Sequence, residues 1–134
     1  MLSEDRRVDS GFTMIELLVV VSVIIILATM AMSQHKTTVI HTREAVLQED
    51  LFRMRDAIDQ YYADKGEYPA ALDSLVSEGY MRRVPKDPFT DSADTWQTEP
   101  SEPDPNNPTA APGIYTMHSG SDGTSLSGTK YADW

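Results

Sequence analysis

A long apolar run near the N-terminus constrains this chain more than any other feature of its sequence. The run extends from Phe12 to Met32. Only four polar residues interrupt it: Thr13, Glu16, Ser22 and Thr29. A helix over this range would be about 30 Å long, which matches the hydrocarbon core of a bilayer. A helix also satisfies its own backbone hydrogen bonds in lipid. We therefore predict one membrane-spanning helix over residues 12–32.

A cleaved secretory signal peptide is the alternative interpretation of the same run. Signal peptides have a shorter apolar region, followed by a cleavage site made of small residues. Here the run is long enough to span a membrane, and the segment Met30-Ala31-Met32-Ser33 contains no convincing site of that kind. A retained membrane helix fits better.

Composition limits what the rest of the chain can do. The 134 residues carry a formal net charge of -10, which argues against a nucleic-acid partner because phosphate binding needs clustered lysine and arginine. The sequence has no cysteine, so disulfides, thiol chemistry and zinc–thiolate sites are excluded. A small exported domain without disulfides needs another source of stability, such as a metal ion or burial in an assembly.

Glu16 is the one acid inside the apolar run. An ionised carboxylate in a membrane helix costs about 2.5 kcal/mol or more, so such residues usually have a partner. Glu16 could simply reach the membrane interface, because it lies close to the start of the run. It could instead face a positive charge on a neighbouring subunit. A freed α-amino group at Phe12 would supply that charge if the chain were cut just before this residue.

The residues around Glu16 form a recognisable motif. Gly11-Phe12-Thr13-Met14-Ile15-Glu16, placed directly before the apolar run, resembles the processing motif of type IV prepilins and type II secretion pseudopilins. The resemblance implies that residues 1–11 are a leader and that a membrane prepilin peptidase cuts between Gly11 and Phe12. The same enzyme would methylate Phe12, and Glu16 would pair with a neighbour's N-terminus during assembly. The side of the membrane that holds the leader also comes from the resemblance, because the flanking charges orient the helix weakly.

Helical periodicity continues beyond the membrane run. Apolar residues recur at helical spacing as far as Tyr61, and Gly66 followed by Pro69 predicts the end of one helix of about fifty residues. Pro69 to Gly79 predicts a short second helix. Residues 94–98 and 113–117 are candidate strands, and the proline-rich residues 99–108 predict an exposed loop.

These elements define an α+β fold, with a soluble domain over residues 33–134. The membrane-spanning first half of the long helix leads into a small C-terminal domain. That domain contains a short helix, a small antiparallel sheet and long loops, and the whole resembles type IV pilins.

A second stretch of sequence separates the subfamilies. Tyr62, then Gly66-Glu67-Tyr68-Pro69, then Gly79-Tyr80 through Asp87-Pro88-Phe89, resembles the major pseudopilin of type II secretion. The resemblance implies a homopolymer that drives protein export across the outer membrane. It implies an inner-membrane protein with one span, whose soluble domain lies in the periplasm and moves into a periplasmic filament. Its partners would be minor pseudopilins and the inner-membrane secretion platform.

Two other functions compete with a pseudopilin. A type IV pilin would form an extracellular fibre for adhesion or motility, but the common version closes its C-terminal loop with a disulfide and this chain has no cysteine. A single-pass anchor carrying a ligand-binding domain would not polymerise. The complete motif from Gly11 to Glu16 argues against that anchor.

The C-terminus resembles the calcium-binding loop of major pseudopilins. The matching segments are Ser119-Gly120-Ser121-Asp122-Gly123 and Gly128 to Trp134. The resemblance implies calcium as a cofactor, held by Asp122 and Asp133 together with backbone carbonyls. Ala132 stands where the family often has a further acid, so weak binding is expected. A flexible Gly/Ser tail with two ordinary acids is the alternative.

No catalytic constellation appears in the sequence. The three histidines are His35, His41 and His118, and no paired acids accompany them. Phosphate-binding, nucleophile-elbow and zinc-protease motifs are absent from the sequence. We therefore predict a protein that is not an enzyme.

Overall fold

The computed structural model describes residues 11–134. It divides into two compact units, with the boundary between Thr38 and Val39. One long helix, α1 (Met14–Lys65), contributes to both units. The predicted single helix is therefore confirmed, and so is the α+β class, because a short helix and a two-stranded antiparallel sheet follow it.

The first part of α1 has no core of its own. From Met14 to Met32 every residue is exposed, and the large apolar side chains there are between 45% and 84% exposed. Length and composition allow this helix to cross a membrane, and no residue of its most apolar segment is buried. These side chains need a surrounding that the unit does not provide, such as lipid or other subunits.

The second part of α1 is amphipathic and forms one wall of a core. Leu47, Leu51, Met54 and Ile58 follow the spacing of a single helix face, and all four are buried. The helix ends where expected. Gly66 has a φ of 71°, and its N–H donates to the Tyr62 carbonyl at 2.8 Å, which is the αL type of helix end.

The short helix α2 (Leu72–Ser77) ends in a Schellman motif. Gly79 has a φ of 84° and donates to the Val76 carbonyl, and Tyr80 donates to the Leu75 carbonyl at 2.9 Å. After this turn the ring of Tyr80 meets the ring of Tyr61 on α1 edge-on, with centroids 5.4 Å apart. The buried Leu75 joins α2 to the core.

The sheet consists of β1 (Gln97–Pro100) and β2 (Ile114–His118). The strands are antiparallel, with Gln97 opposite His118 and Pro100 opposite Ile114, and the register shifts between Glu99 and Pro100. Proline is tolerated here because a two-stranded sheet consists of edges only. The first strand starts at Gln97 rather than Asp94, because Ser92 holds the preceding residues in a turn through hydrogen bonds to Asp94 and Thr95.

The core lies between α1, α2, β2 and the C-terminal residues. A short 3₁₀ helix, η1 (Tyr131–Asp133), contributes the buried Tyr131 to this core. The buried apolar residues are Leu47, Leu51, Met54, Ala57, Ile58, Leu75, Trp96, Ile114, Met117 and Tyr131. The sequence predicts the proline-rich loop over residues 99–108, but its first two residues belong to β1. Residues 102–112 are exposed and lead from β1 to β2.

Candidate functional site

The processing motif spans the start of α1, so its first half is not helical and its second half is. Gly11, Phe12 and Thr13 are exposed and precede the helix, whereas Met14 to Glu16 form its first turn. Phe12 is 86% exposed. The predicted scissile bond, between Gly11 and Phe12, therefore lies outside the helix. The leader residues 1–10, with the charges of Arg6 and Arg7, fall outside the described residues.

Thr13 caps α1. Its Oγ1 accepts a hydrogen bond from the Glu16 backbone N–H at 3.3 Å, and its carbonyl accepts one from Leu17 at 3.1 Å. The spacing Thr-x-x-Glu is that of a capping box, which satisfies N–H groups that a helix start leaves unpaired. A carboxylate in the first turn also interacts favourably with the helix dipole. We did not predict this role of Thr13, although the four-residue signature is legible in the sequence.

A second candidate site is the C-terminal loop, defined here as residues 119–134. Its two halves are joined by backbone hydrogen bonds, one of them from Tyr131 N–H to the Gly123 carbonyl at 3.2 Å. Asp122 precedes Gly123 and Asp133 follows Tyr131 by two residues, so the pairing brings together the segments that carry the predicted calcium ligands. Both acids are exposed. Two carboxylates and the carbonyls of a Gly-rich segment are oxygen ligands of the kind that calcium binds, and so few carboxylates predict weak binding.

Glu44 of α1 reaches the same loop. Its Oε1 accepts hydrogen bonds from the Leu126 backbone N–H at 2.8 Å and from the Tyr131 hydroxyl at 2.9 Å. Burial, together with the bond to Glu44, raises the pKa of Tyr131 from 10.0 to about 12. This contact of Glu44 was not predicted from the sequence.

Asp87 is a buried carboxylate that orders the start of the loop. It is fully buried and accepts hydrogen bonds from the Ser119 hydroxyl, the Gly120 N–H and the Phe89 N–H. Gly120 is required at this place, since a Cβ there would lie 1.9 Å from the Thr95 carbonyl oxygen. Asp87 thus joins the segment after α2 to the C-terminal loop.

Arg55 and His118 contact the last residue of the loop, Trp134. Arg55 donates to the Met117 carbonyl at 3.0 Å and to the Trp134 main-chain oxygen at 2.6 Å. The Nδ1 of His118 lies 2.7 Å from the same Trp134 oxygen, and its Nε2 lies 3.1 Å from Glu99. His35 and His41 are exposed on α1. Within residues 11–134 no three histidine, aspartate or glutamate side chains lie close enough together to hold a metal ion.

Comparison with known proteins matches the segment around the processing motif and shows the family of the chain. The family described as "Prokaryotic N-terminal methylation motif" matches residues 6–32. The type II secretion system core protein G of Pseudomonas aeruginosa is 31% identical over 100 residues, which cover 63% of this chain and 70% of that protein. This chain belongs to the family of type II secretion system core protein G.

Two further relatives are similar to this chain. The core protein G of Aeromonas hydrophila is 28% identical over 100 residues, covering 63% of this chain and 70% of that protein. The fimbrial protein EcpC of Eikenella corrodens is 34% identical over 65 residues, covering 48% of this chain and 42% of that protein. No solved structure matches. The predicted identity as a major pseudopilin of the prepilin-like superfamily is confirmed.

Membership in the core protein G family does not assign the individual residues. Gly11, Phe12 and Glu16 fall within the matched segment, residues 6–32, but their roles in processing and assembly stay predictions. Asp122 and Asp133 likewise stay predicted calcium ligands. Sequence reasoning missed three residues that attach the C-terminal loop: Glu44, Asp87 and Arg55. Each is separated from its partners in that loop by at least thirty residues.

Proposed function

We propose that this chain is a structural subunit that polymerises through α1 into a periplasmic pseudopilus and so drives protein export across the outer membrane. The observation that carries the proposal is the exposed apolar first part of α1, which directly follows a prepilin processing motif. The remainder of the chain has a core of its own. A subunit of this kind stays in the membrane until other subunits replace the lipid around its helix.

Processing is the first step of the proposed assembly. A prepilin peptidase cuts between Gly11 and Phe12 and methylates the new N-terminus. The exposed, non-helical conformation of Gly11 to Thr13 supports this step, because the scissile bond is accessible. Mass spectrometry of protein extracted from membranes should show a chain that starts at methylated Phe12. Filaments assembled from intact Met1 chains would contradict the proposal.

Pairing of Glu16 with a neighbour's N-terminal amine is the proposed assembly step. A carboxylate among apolar side chains costs free energy until an opposite charge approaches. The amine that cleavage creates at Phe12 is such a charge. Entry into the filament therefore gives Glu16 a partner that lipid cannot offer.

We place the subunit in the inner membrane with one span and its soluble domain in the periplasm. Its partners there are further copies of the chain, minor pseudopilins and the secretion platform. Within residues 11–134 one helix could cross a membrane, which supports a single anchor. We assign the chain a structural rather than a catalytic role, as the core protein G relatives suggest.

Deletion of the gene tests the export function. We expect secreted enzymes to accumulate in the periplasm, and the unaltered gene to restore secretion. The alternative is a type IV pilin, which the likeness to the fimbrial protein EcpC favours. In that case deletion would remove fibres from the cell surface and leave secretion intact.

We also propose that the C-terminal loop binds calcium weakly, through Asp122, Asp133 and backbone carbonyls. With only two acids we expect a dissociation constant of about 0.1 to 1 mM, as in extracellular calcium modules. Unfolding of the chain in detergent should be followed at millimolar calcium and in chelator. An unchanged melting temperature, with the same result for Asp122→Ala, would exclude the ion and leave the pseudopilin function unaffected.

A further inference from the structure

We propose that Glu44 and Tyr131 form a clasp that closes the C-terminal loop onto α1 without the help of a metal ion. The clasp is defined by the Glu44 carboxylate, the Tyr131 hydroxyl and the Leu126 backbone N–H. It goes beyond the proposed function, because it does not depend on polymerisation or on calcium. It determines whether the subunit keeps its C-terminal surface in calcium-poor surroundings.

The two hydrogen bonds of the clasp connect distant parts of the chain. One carboxylate oxygen, Oε1 of Glu44, accepts from Leu126 at 2.8 Å and from Tyr131 at 2.9 Å. Leu126 is 82 residues from Glu44 and Tyr131 is 87 residues away. Hydrogen bonds to an ionised acceptor are stronger than neutral ones. Both bonds must break before this part of the loop can leave the helix.

Tyr131 is held in place for this contact by its neighbours. The side chain is buried, and its ring stacks on Phe89 with centroids 3.9 Å apart and meets the Trp134 ring edge-on at 5.2 Å. Gly123 lies against the same ring, since a Cβ at that position would come within 3.1 Å of it. The ring therefore fills the space between the loop and the core, and its hydroxyl is directed to Glu44.

The turn between the two halves of the loop is stabilised by hydrogen bonds among its own polar groups. Ser125 N–H donates to the Thr129 carbonyl at 2.7 Å, and Thr124 pairs with Lys130. The hydroxyls of Ser125 and Thr129 lie 2.9 Å apart, and the Trp134 indole N–H donates to Thr129 at 2.8 Å. The segment that Glu44 binds is therefore ordered by its own hydrogen bonds, and Glu44 holds this ordered turn against α1.

The clasp and the proposed calcium ligands involve different residues. Asp122 and Asp133 are exposed and contribute no atom to the bonds of Glu44. The loop should therefore stay closed in chelator while Glu44 is present. Replacement of Glu44 should open the loop in chelator, and calcium should then restore part of its order if the ion binds.

Hydrogen exchange of the full chain in detergent tests the clasp. The Leu126 amide reports on it directly, and the Met54 amide in the buried part of α1 reports on global unfolding. We expect Glu44→Gln to accelerate exchange at Leu126 by about tenfold or more in chelator, because a charged acceptor is replaced by a neutral one. Tyr131→Phe keeps the ring and removes only the hydroxyl, so a smaller acceleration is expected.

Glu49→Gln is the matched control. Glu49 is on the same helix and loses the same charge, but its partner is the exposed Arg53 at 2.8 Å. This variant should exchange like the unaltered protein. The clasp is overturned if Leu126 exchanges equally fast in Glu44→Gln and in Glu49→Gln. It is also overturned if chelator alone exposes Leu126 in the unaltered chain, or if Met54 and Leu126 accelerate equally in both clasp variants.

Discussion

The two parts of α1 form one continuous helix but differ in the exposure of their apolar side chains. Residues 14–32 are all exposed, and most of their side chains are apolar. Residues 47–58 bury one face against the core, with Leu47, Met54 and Ile58 fully covered. The exposed apolar side chains of the first part therefore need contacts with lipid or with other proteins. Lipid supplies them before assembly, and other subunits do so afterwards in the function we propose.

The difference also separates two kinds of residue. A side chain in the first part should affect assembly and leave the stability of the soluble domain unchanged. A side chain on the buried face of the second part should affect stability whether or not a filament forms. The first two of the following experiments test this division, and the others test how the C-terminal loop joins the core.

The largest effect is expected for Glu16→Leu. Removal of the carboxylate lowers the free-energy cost of burying this position in lipid, so the monomer should stay inserted. It also deletes the proposed partner of a neighbour's amine, so filament formation should be nearly lost. Electron microscopy and cross-linking after overexpression measure the filaments. Thr13→Val is the control, because it weakens the helix cap and retains the carboxylate. Filament formation at the unaltered level in Glu16→Leu would show that the acid only reaches the interface.

Paired leucine variants should follow. Leu47→Ala removes a fully buried side chain and should lower the free energy of unfolding by about 2 to 5 kcal/mol. Leu18→Ala makes the same chemical change on an exposed part of the helix and should leave that free energy nearly unchanged. Denaturant unfolding of the full chain in detergent, followed by tryptophan fluorescence, compares them. A similar loss in both variants would mean that the two parts of α1 do not differ in this way.

Asp87→Ala tests the start of the C-terminal loop. It leaves the Ser119 hydroxyl and the Gly120 N–H without their acceptor, which should cost about 1 to 3 kcal/mol of stability. The same unfolding measurement applies, with the exposed Asp94→Ala as a control. A loss as small as that of the control would mean that water replaces the carboxylate at no cost.

The smallest expected effect is a dependence of stability on alkaline pH. The pKa of Tyr131 is raised to about 12 in the folded chain, first by burial and then by its bond to Glu44. A folded pKa above the unfolded one contributes stability that is complete below pH 10 and is lost as the pH rises towards 12. Tyr131→Phe should flatten this decline. The pKa of Tyr80 is also raised to about 12, chiefly by its hydrogen bond to Asp64, so Tyr80→Phe should flatten the decline as well.

Periodicity and end signals were sufficient to predict the helices. The apolar spacing and Gly66 fixed α1 nearly to the residue, and Gly79 marked the end of α2. The two strands were found approximately, but the start of β1 depends on side-chain hydrogen bonds of Ser92 that propensity does not describe. The motif from Gly11 to Glu16 could be recognised because its residues are adjacent in sequence. Glu44, Asp87 and Arg55 were not, since their importance arises from contacts across the folded chain.

The cap at Thr13 has a consequence for the order of events at the membrane. It fixes the first hydrogen-bonded turn of α1 after the Gly11–Phe12 bond, so this bond is not part of the helix. Proteolysis generally requires an extended substrate segment, and a bond inside a long helix would first have to be unwound in lipid. In this chain the boundary between coil and helix separates the bond that we predict to be cut from α1, so the proposed cleavage would not require α1 to unfold.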